Sequence, residues 1–231
     1  MKYHWIVILG LLIFSSQAMG QEKDVPKTQK DKVSYVIGMD IGMNLKKQGI
    51  DINPDLVLKG IKDGLSGNKP LLSEKEMNDT IAAFEKEMKA KQEEKMKQAG
   101  EKNKKEGETF LAENKKKEGV ISLPSGLQYR VIKKGSGKKP KITDTVTTHY
   151  RGTLIDGTEF DSSYKRGQPV SFPVGGVIPG WTEALQIMEE GAKWQLFIPS
   201  TLAYGERGAG PIGPHATLIF EVELISIQEK K

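Results

Sequence analysis

The chain has 231 residues, a net charge of +5, 37% hydrophobic and 28% charged residues, and no cysteine. The missing cysteine excludes disulfides, thiolate metal sites, a thiol nucleophile and an acylated-cysteine anchor. Its lysine-rich stretches also carry glutamate, which argues against a nucleic-acid footprint.

Lys2 precedes an apolar run from Trp5 to Phe14 broken only by Gly10, and Ser15, Ser16, Gln17, Ala18, Met19 and Gly20 follow. A charged start, a short apolar core and a small-residue end make a secretory signal peptide, residues 1–20, cleaved after Gly20. The alternative is a retained membrane anchor, but the run falls well short of the ~20 apolar residues that span a bilayer. No later segment is apolar enough to span, so the mature chain is expected to be soluble outside the cytoplasm.

Three helices are predicted next. Asp31 is expected to cap the first, which carries Val33, Val36, Ile37, Ile41 and Leu45 on one broad face and stops at Gly49. Asn53, Pro54 and Asp55 supply a cap, a proline at the first helical position and an acid at the dipole's positive end of the second. That helix carries Val57, Leu58, Ile61 and Leu65 and ends at Gly67. Ser73 with Glu76 reads as a capping box opening the third. No proline interrupts Ser73 to Leu123, and a helix running to Lys117 would be ~68 Å long. Its apolar residues, Met77, Ile81, Phe84 and Met88, cover only the first part. The rest is charged all round up to Phe110, which predicts a solvent-exposed connecting helix over 73–118. Gly100 and Gly107 each cost ~1 kcal/mol relative to alanine and are read as bends.

Within the N-terminal helical region, residues 21–72, the roughly 45 residues between Val25 and Pro70 fall near the size below which small folds need disulfides, metals or oligomerisation. Cysteine and metal-ligand clusters are absent, so oligomerisation is the remaining support. A homodimer through the N-terminal helices is therefore expected. Gly38 and Gly42, one turn apart, would let two helices approach; Met39 and Met43 are adaptable packing residues, and Ile41 lies between them on the apolar face. The alternative folds these helices back onto the third within one chain.

From Gly119 the texture changes to strands rich in Val, Ile, Thr and aromatics: Leu127 to Ile132, Thr145 to Leu154, Val170 to Val174, Lys193 to Ile198 and Thr217 to Ile227. Asp156-Gly157 is a hairpin signal. Trp181 to Met188 is the one helix predicted in this half. An antiparallel sheet on a short helix makes residues 119–231 an α+β domain. There is no nucleophile triad, metal set or phosphate loop. Of the three histidines, His4 leaves with the signal peptide, and His149 and His215 read as structural or surface residues. Gly135-Ser136-Gly137 lacks phosphate-loop spacing and reads as a turn.

The domain instead gathers aromatic and apolar residues beside turns. Tyr150-Arg151-Gly152, Phe160-Asp161-Ser162-Ser163, Val177-Ile178-Pro179-Gly180-Trp181, Leu202-Ala203-Tyr204-Gly205 and Pro214-His215-Ala216-Thr217-Leu218-Ile219-Phe220 stand in the order and spacing of the FKBP-type peptidyl-prolyl cis-trans isomerases. Ser125 to Tyr129, Leu154 to Thr158, Gly180 to Gln186 and Asn44 to Asp51 resemble one branch, the macrophage infectivity potentiator (Mip) proteins of Gram-negative bacteria. The resemblance covers essentially the whole mature chain.

The resemblance implies a pocket floored by Trp181 and walled by Tyr150, Phe160, Val177, Ile178, Tyr204, Ile212 and Phe220, with Phe172 close by. Asp161 and the Tyr204 hydroxyl would be its polar groups, and the Ile178 backbone N–H would hold a substrate carbonyl. Asp161, Tyr204, Ile178, Tyr150 and Phe220 would carry the rotation of X–Pro bonds, with no metal or cofactor. The implied partners are proline-containing polypeptides, unfolded exported proteins, rapamycin- and tacrolimus-type macrolides and a second copy of the chain. The implied location is the periplasm, outer membrane or surface of a Gram-negative cell. A second reading is a dimeric chaperone that grips unfolded clients, its isomerase activity incidental. A role in infection comes only from the family name. Two departures stand out: Val170 replaces an aromatic found in many members, and the loop from Glu206 to Pro214 is one residue shorter than in the mammalian single-domain form.

Overall fold

A computed structural model describes residues 25–228; the expected signal peptide lies outside the described residues. The chain divides between Ser73 and Glu74 into two compact units. Among the described residues no helix is long and apolar enough to cross a membrane.

The first unit holds α1 (Gln29–Gln48) and α2 (Pro54–Ser66). The cap of α1 is Thr28, three residues before the expected Asp31. Thr28 Oγ1 accepts the Asp31 N–H at 3.1 Å while the Asp31 carboxylate accepts the Thr28 N–H at 3.2 Å. This is a reciprocal box, in which the acid belongs at the third helical position rather than at the cap. Asn53, Pro54 and the left-handed Gly49 and Gly67 act as expected. Neither helix buries a single residue. Val36, Ile37, Leu56, Leu58 and Leu65 are all more than half exposed.

The second unit begins with α3 (Glu74–Asn114), which at 41 residues is ~62 Å long. The expectation of a solvent-exposed connector is corrected for its last part: Gly100, Gly107 and Asn114 are buried. Asn114 donates to the Gln128 side chain at 3.0 Å, Gln128 donates to the Leu111 carbonyl at 2.9 Å, and the Phe110 and Phe197 rings lie 6.0 Å apart. Gly100 and Gly107 are thus sites of close packing inside an unbroken helix, not bends.

Seven strands follow: β1 (Val120–Ser122), β2 (Gln128–Lys133), β3 (Thr145–Leu154), β4 (Glu159–Ser162), β5 (Val170–Pro173), β6 (Lys193–Ile198) and β7 (Leu218–Gln228), with α4 (Pro179–Ile187) between β5 and β6. They form one antiparallel sheet in the order β1-β2-β6-β7-β3-β4. β5 shares the outer edge of β3 with β4, pairing with Thr145 to Thr148 while β4 pairs with Arg151 to Thr153. The short strand β1 was not anticipated, and β4 only as the return arm of the Asp156-Gly157 hairpin. The Asp156-Gly157 hairpin joins β3 to β4 as expected, with Gly157 at φ 87.

Alternation sets the core. Val146, Thr148, Tyr150 and Gly152 of β3 face the same side as Leu218, Phe220, Val222 and Leu224 of β7, following the two-residue period of a strand. α4 covers that face with Trp181, Ala184 and Leu185, all essentially inaccessible.

Candidate active site

The site is built where β3, β4, β5, α4 and the loop before β7 meet around an open cavity of about 590 Å³. That volume lies within the ~300–1,000 Å³ of ordinary ligand pockets.

Its floor follows from the start of α4. Pro179 takes the first helical position, where its absent N–H costs nothing. Gly180 is needed for the depth: a Cβ there would lie 2.5 Å from Ile198 Cγ2. The helix therefore sits tight on the sheet and Trp181 enters the core, 4% exposed. The Tyr150, Phe220 and Phe172 rings stand against the indole at 5.3, 5.3 and 5.8 Å and at 79–87°. Such edge-on aromatic pairs contribute ~0.5–1.5 kcal/mol each beyond their area. The Trp181 indole nitrogen has no protein oxygen as partner.

One wall depends on Gly152, paired with Phe220 across β3 and β7. A Cβ at Gly152 would come within 2.7 Å of both the Phe160 and the Phe220 ring. The glycine lets those two rings pack edge to face at 5.4 Å.

The polar corner is a three-residue network. The Tyr150 hydroxyl donates to Asp161 Oδ2 at 2.6 Å and accepts from Arg166 Nη2 at 2.5 Å. Arg166 Nη1 pairs with Asp161 Oδ1, and the guanidinium lies 5.4 Å from the Tyr150 ring centre. Partial burial works to raise the Asp161 pKa, but hydrogen bonds from Tyr150 and Arg166 and the Arg166 charge outweigh it, and the net direction is down. Burial, then the bond to Asp161, pushes the Tyr150 phenol up. Ser163 pins the Tyr150 backbone: its hydroxyl accepts the Tyr150 N–H at 2.8 Å, and its N–H donates to the Tyr150 carbonyl at 3.0 Å.

All the pocket residues expected from the sequence line this one cavity: Tyr150, Phe160, Asp161 and Phe172 from the strands, Val177, Ile178 and Trp181 around the start of α4, and Tyr204, Ile212 and Phe220. Ile178 is the cap residue of α4, and its carbonyl accepts the Trp181 N–H at 2.9 Å. Tyr204 is 40% exposed at the rim. Val170 packs half-buried against the core and is not a lining residue. Ala209 and Pro211, from the loop expected to overhang the pocket, join the lining, as does Gly176, which was not anticipated. Arg166 was missed altogether. Its signal was an arginine five residues after Asp161, on the turn closed by Gly167 at φ 74. Gly38, Met39, Ile41, Gly42 and Met43 lie on α1, in the other unit.

Comparison with known proteins places this architecture. Residues 30–131 match the family described as the domain amino terminal to FKBP-type peptidyl-prolyl isomerase, and residues 136–225 match FKBP-type peptidyl-prolyl cis-trans isomerase itself. The chain is 50% identical over 230 residues to the "Outer membrane protein MIP" of Legionella longbeachae, covering 99% of this chain and 98% of that one. It is 47% identical over 205 residues to the "Peptidyl-prolyl cis-trans isomerase Mip" of Coxiella burnetii, covering 88% and 89%. The crystal structure of FkpA from Escherichia coli superposes with a TM-score of 0.69 at 38% identity, covering 88% of this chain and 99% of that chain. With helices in front, an antiparallel sheet behind and a ring-lined cavity on α4, the chain belongs to the FKBP-type peptidyl-prolyl cis-trans isomerases, in the group that holds Mip and FkpA.

Proposed function

We propose that the cavity over Trp181 is where this isomerase turns X–Pro bonds of exported proteins, and that two copies work together through their N-terminal helices. The observation that carries the first part is the convergence of Tyr150, Phe172 and Phe220 on one indole. An X–Pro bond is held planar by resonance against a barrier of ~18–20 kcal/mol. Resonance separates charge, and water favours the separated form. A pocket of rings strips that solvation while the carbonyl leaves conjugation, so the twisted geometry gains relative to the planar one. The Ile178 N–H, the Tyr204 hydroxyl and the Asp161 network are the fixed dipoles that would hold the substrate's carbonyls during the turn. No bond to the protein forms and none breaks.

The expected leader peptide supports export, hence substrates among proteins folding outside the cytoplasm. The exposed apolar faces of α1 and α2 support the homodimer, since contiguous apolar surface on a small unit marks an interaction site. The same surface favours the second reading, in which the dimer grips unfolded clients.

Rapamycin, one of the macrolides that the resemblance implies as ligands, supplies a direct test. Isothermal titration should give a one-to-one complex at micromolar drug, weakened at least tenfold in Trp181→Ala, which removes the floor of the cavity. No heat and no competition with a proline peptide would contradict the pocket.

A further inference from the structure

The rim of the pocket and the long helix hold opposite sides of one stretch of chain. Tyr204, Ala209, Pro211 and Ile212 line the cavity. Immediately afterwards the same stretch lies against α3. Asn103 Nδ2 donates to the Pro214 carbonyl at 2.8 Å. A Cβ at Gly100 would sit 3.2 Å from Pro214 Cβ, and one at Gly107 would run into the Thr217 hydroxyl. Residues 100, 103 and 107 share one helix face, so the face offered to the loop is bare backbone carrying a single amide.

The loop bends sharply. Gly205, Gly208 and Gly210 all take positive φ, and His215 does so at 54° without being glycine. Residues in such conformations persist where their surroundings over-determine them. The loop's surroundings are of three kinds: backbone bonds (the His215 N–H to the Gly205 carbonyl at 2.8 Å, the Gly205 N–H to the Ser200 carbonyl at 2.9 Å, and two between Ala209 and Ile212 at 2.9 Å), the core that buries Ile212 and Ala216, and the Asn103 amide on α3.

We propose that Asn103 is a positioning residue for the isomerase. By holding the Pro214 carbonyl it fixes the 205–217 loop, and with it Ile212, at the distance from Trp181 that the substrate requires. The last turns of α3 are then part of the specificity surface rather than only a connector. This rests on the pocket reading above.

The test uses the full-length protein and proline tetrapeptides that differ only in the residue before proline. Asn103→Asp keeps the shape and loses the donor. It should raise KM about three- to tenfold, the loss of one neutral hydrogen bond, and shrink the preference among preceding residues. In an Ile212→Ala background the same change should have little further effect, because groups that act through one another are non-additive. A merely structural role would lower the melting temperature and leave KM and preference untouched, which would overturn the proposal. If Asn103→Asp does not fold, Asn103→Ala is read by the same criteria. An effect of Ile212→Ala with none from Asn103 sinks the positioning role alone; no effect from Ile212→Ala sinks the pocket reading.

Discussion

Asp161 has neighbours that favour its charge, and Tyr150 neighbours that favour its proton. The Asp161 carboxylate is held below its ordinary 3.8 and the Tyr150 phenol above its ordinary 10.0. A depressed acid contributes above its unfolded pKa and loses that contribution as pH falls through its folded value. A raised phenol keeps its proton until pH climbs past 10. The network therefore stays in one protonation state between those limits. Turnover of a proline tetrapeptide should be flat from about pH 5 to pH 9; a bell-shaped profile inside that window would mean that another titrating group takes part. These residues were legible through the resemblance of their motif strings to the FKBP-type isomerases; outside that pattern each aromatic reads as ordinary core. Arg166 was not, since it follows the Phe160-Asp161-Ser162-Ser163 string and exposed arginines are ordinary surface residues.

Elements were legible in proportion to their periodicity. β3 and β6 begin and end where the alternation of Val, Thr, Ile and aromatics does. β1 has three residues and β4 four, too few for a period to show. The docked part of α3 was missed for a different reason. Its packing face runs through Gly100, Asn103, Gly107, Leu111 and Asn114 at the right helical spacing, but small and amide residues do not register as an apolar stripe. Glycine matters where elements nearly touch. Gly152→Ala would drive a methyl into the Phe160 and Phe220 rings, and overpacking of this kind costs ~1–3 kcal/mol. Urea unfolding should show that loss with an unchanged slope, and rapamycin affinity should fall with it. Unaltered affinity would mean that the two rings do not form the binding wall.

For the whole molecule, the contrast lies between a domain with a closed core and a helical unit that buries no residue among those described. Val36, Leu56, Leu58 and Leu65 have no cover in the single chain, and composition alone had pointed to a second copy. Ile41→Glu places a charge on that surface. Sedimentation should show a dimer for the natural chain and a monomer for the variant, with tetrapeptide turnover unchanged within about twofold, since Ile41 belongs to the other compact unit. A monomeric natural chain at tens of micromolar would contradict the assembly. We propose that the ring-lined cavity with its one polar corner lowers the barrier to prolyl rotation without covalent chemistry. The most direct measurement is a protease-coupled assay on a proline tetrapeptide with the natural chain and Asp161→Asn side by side. The account predicts clear acceleration by the natural chain and a loss of about tenfold in kcat/KM for the variant, the weight of one charge-assisted hydrogen bond. Equal rates for the two, or no acceleration by a folded natural chain, would contradict it.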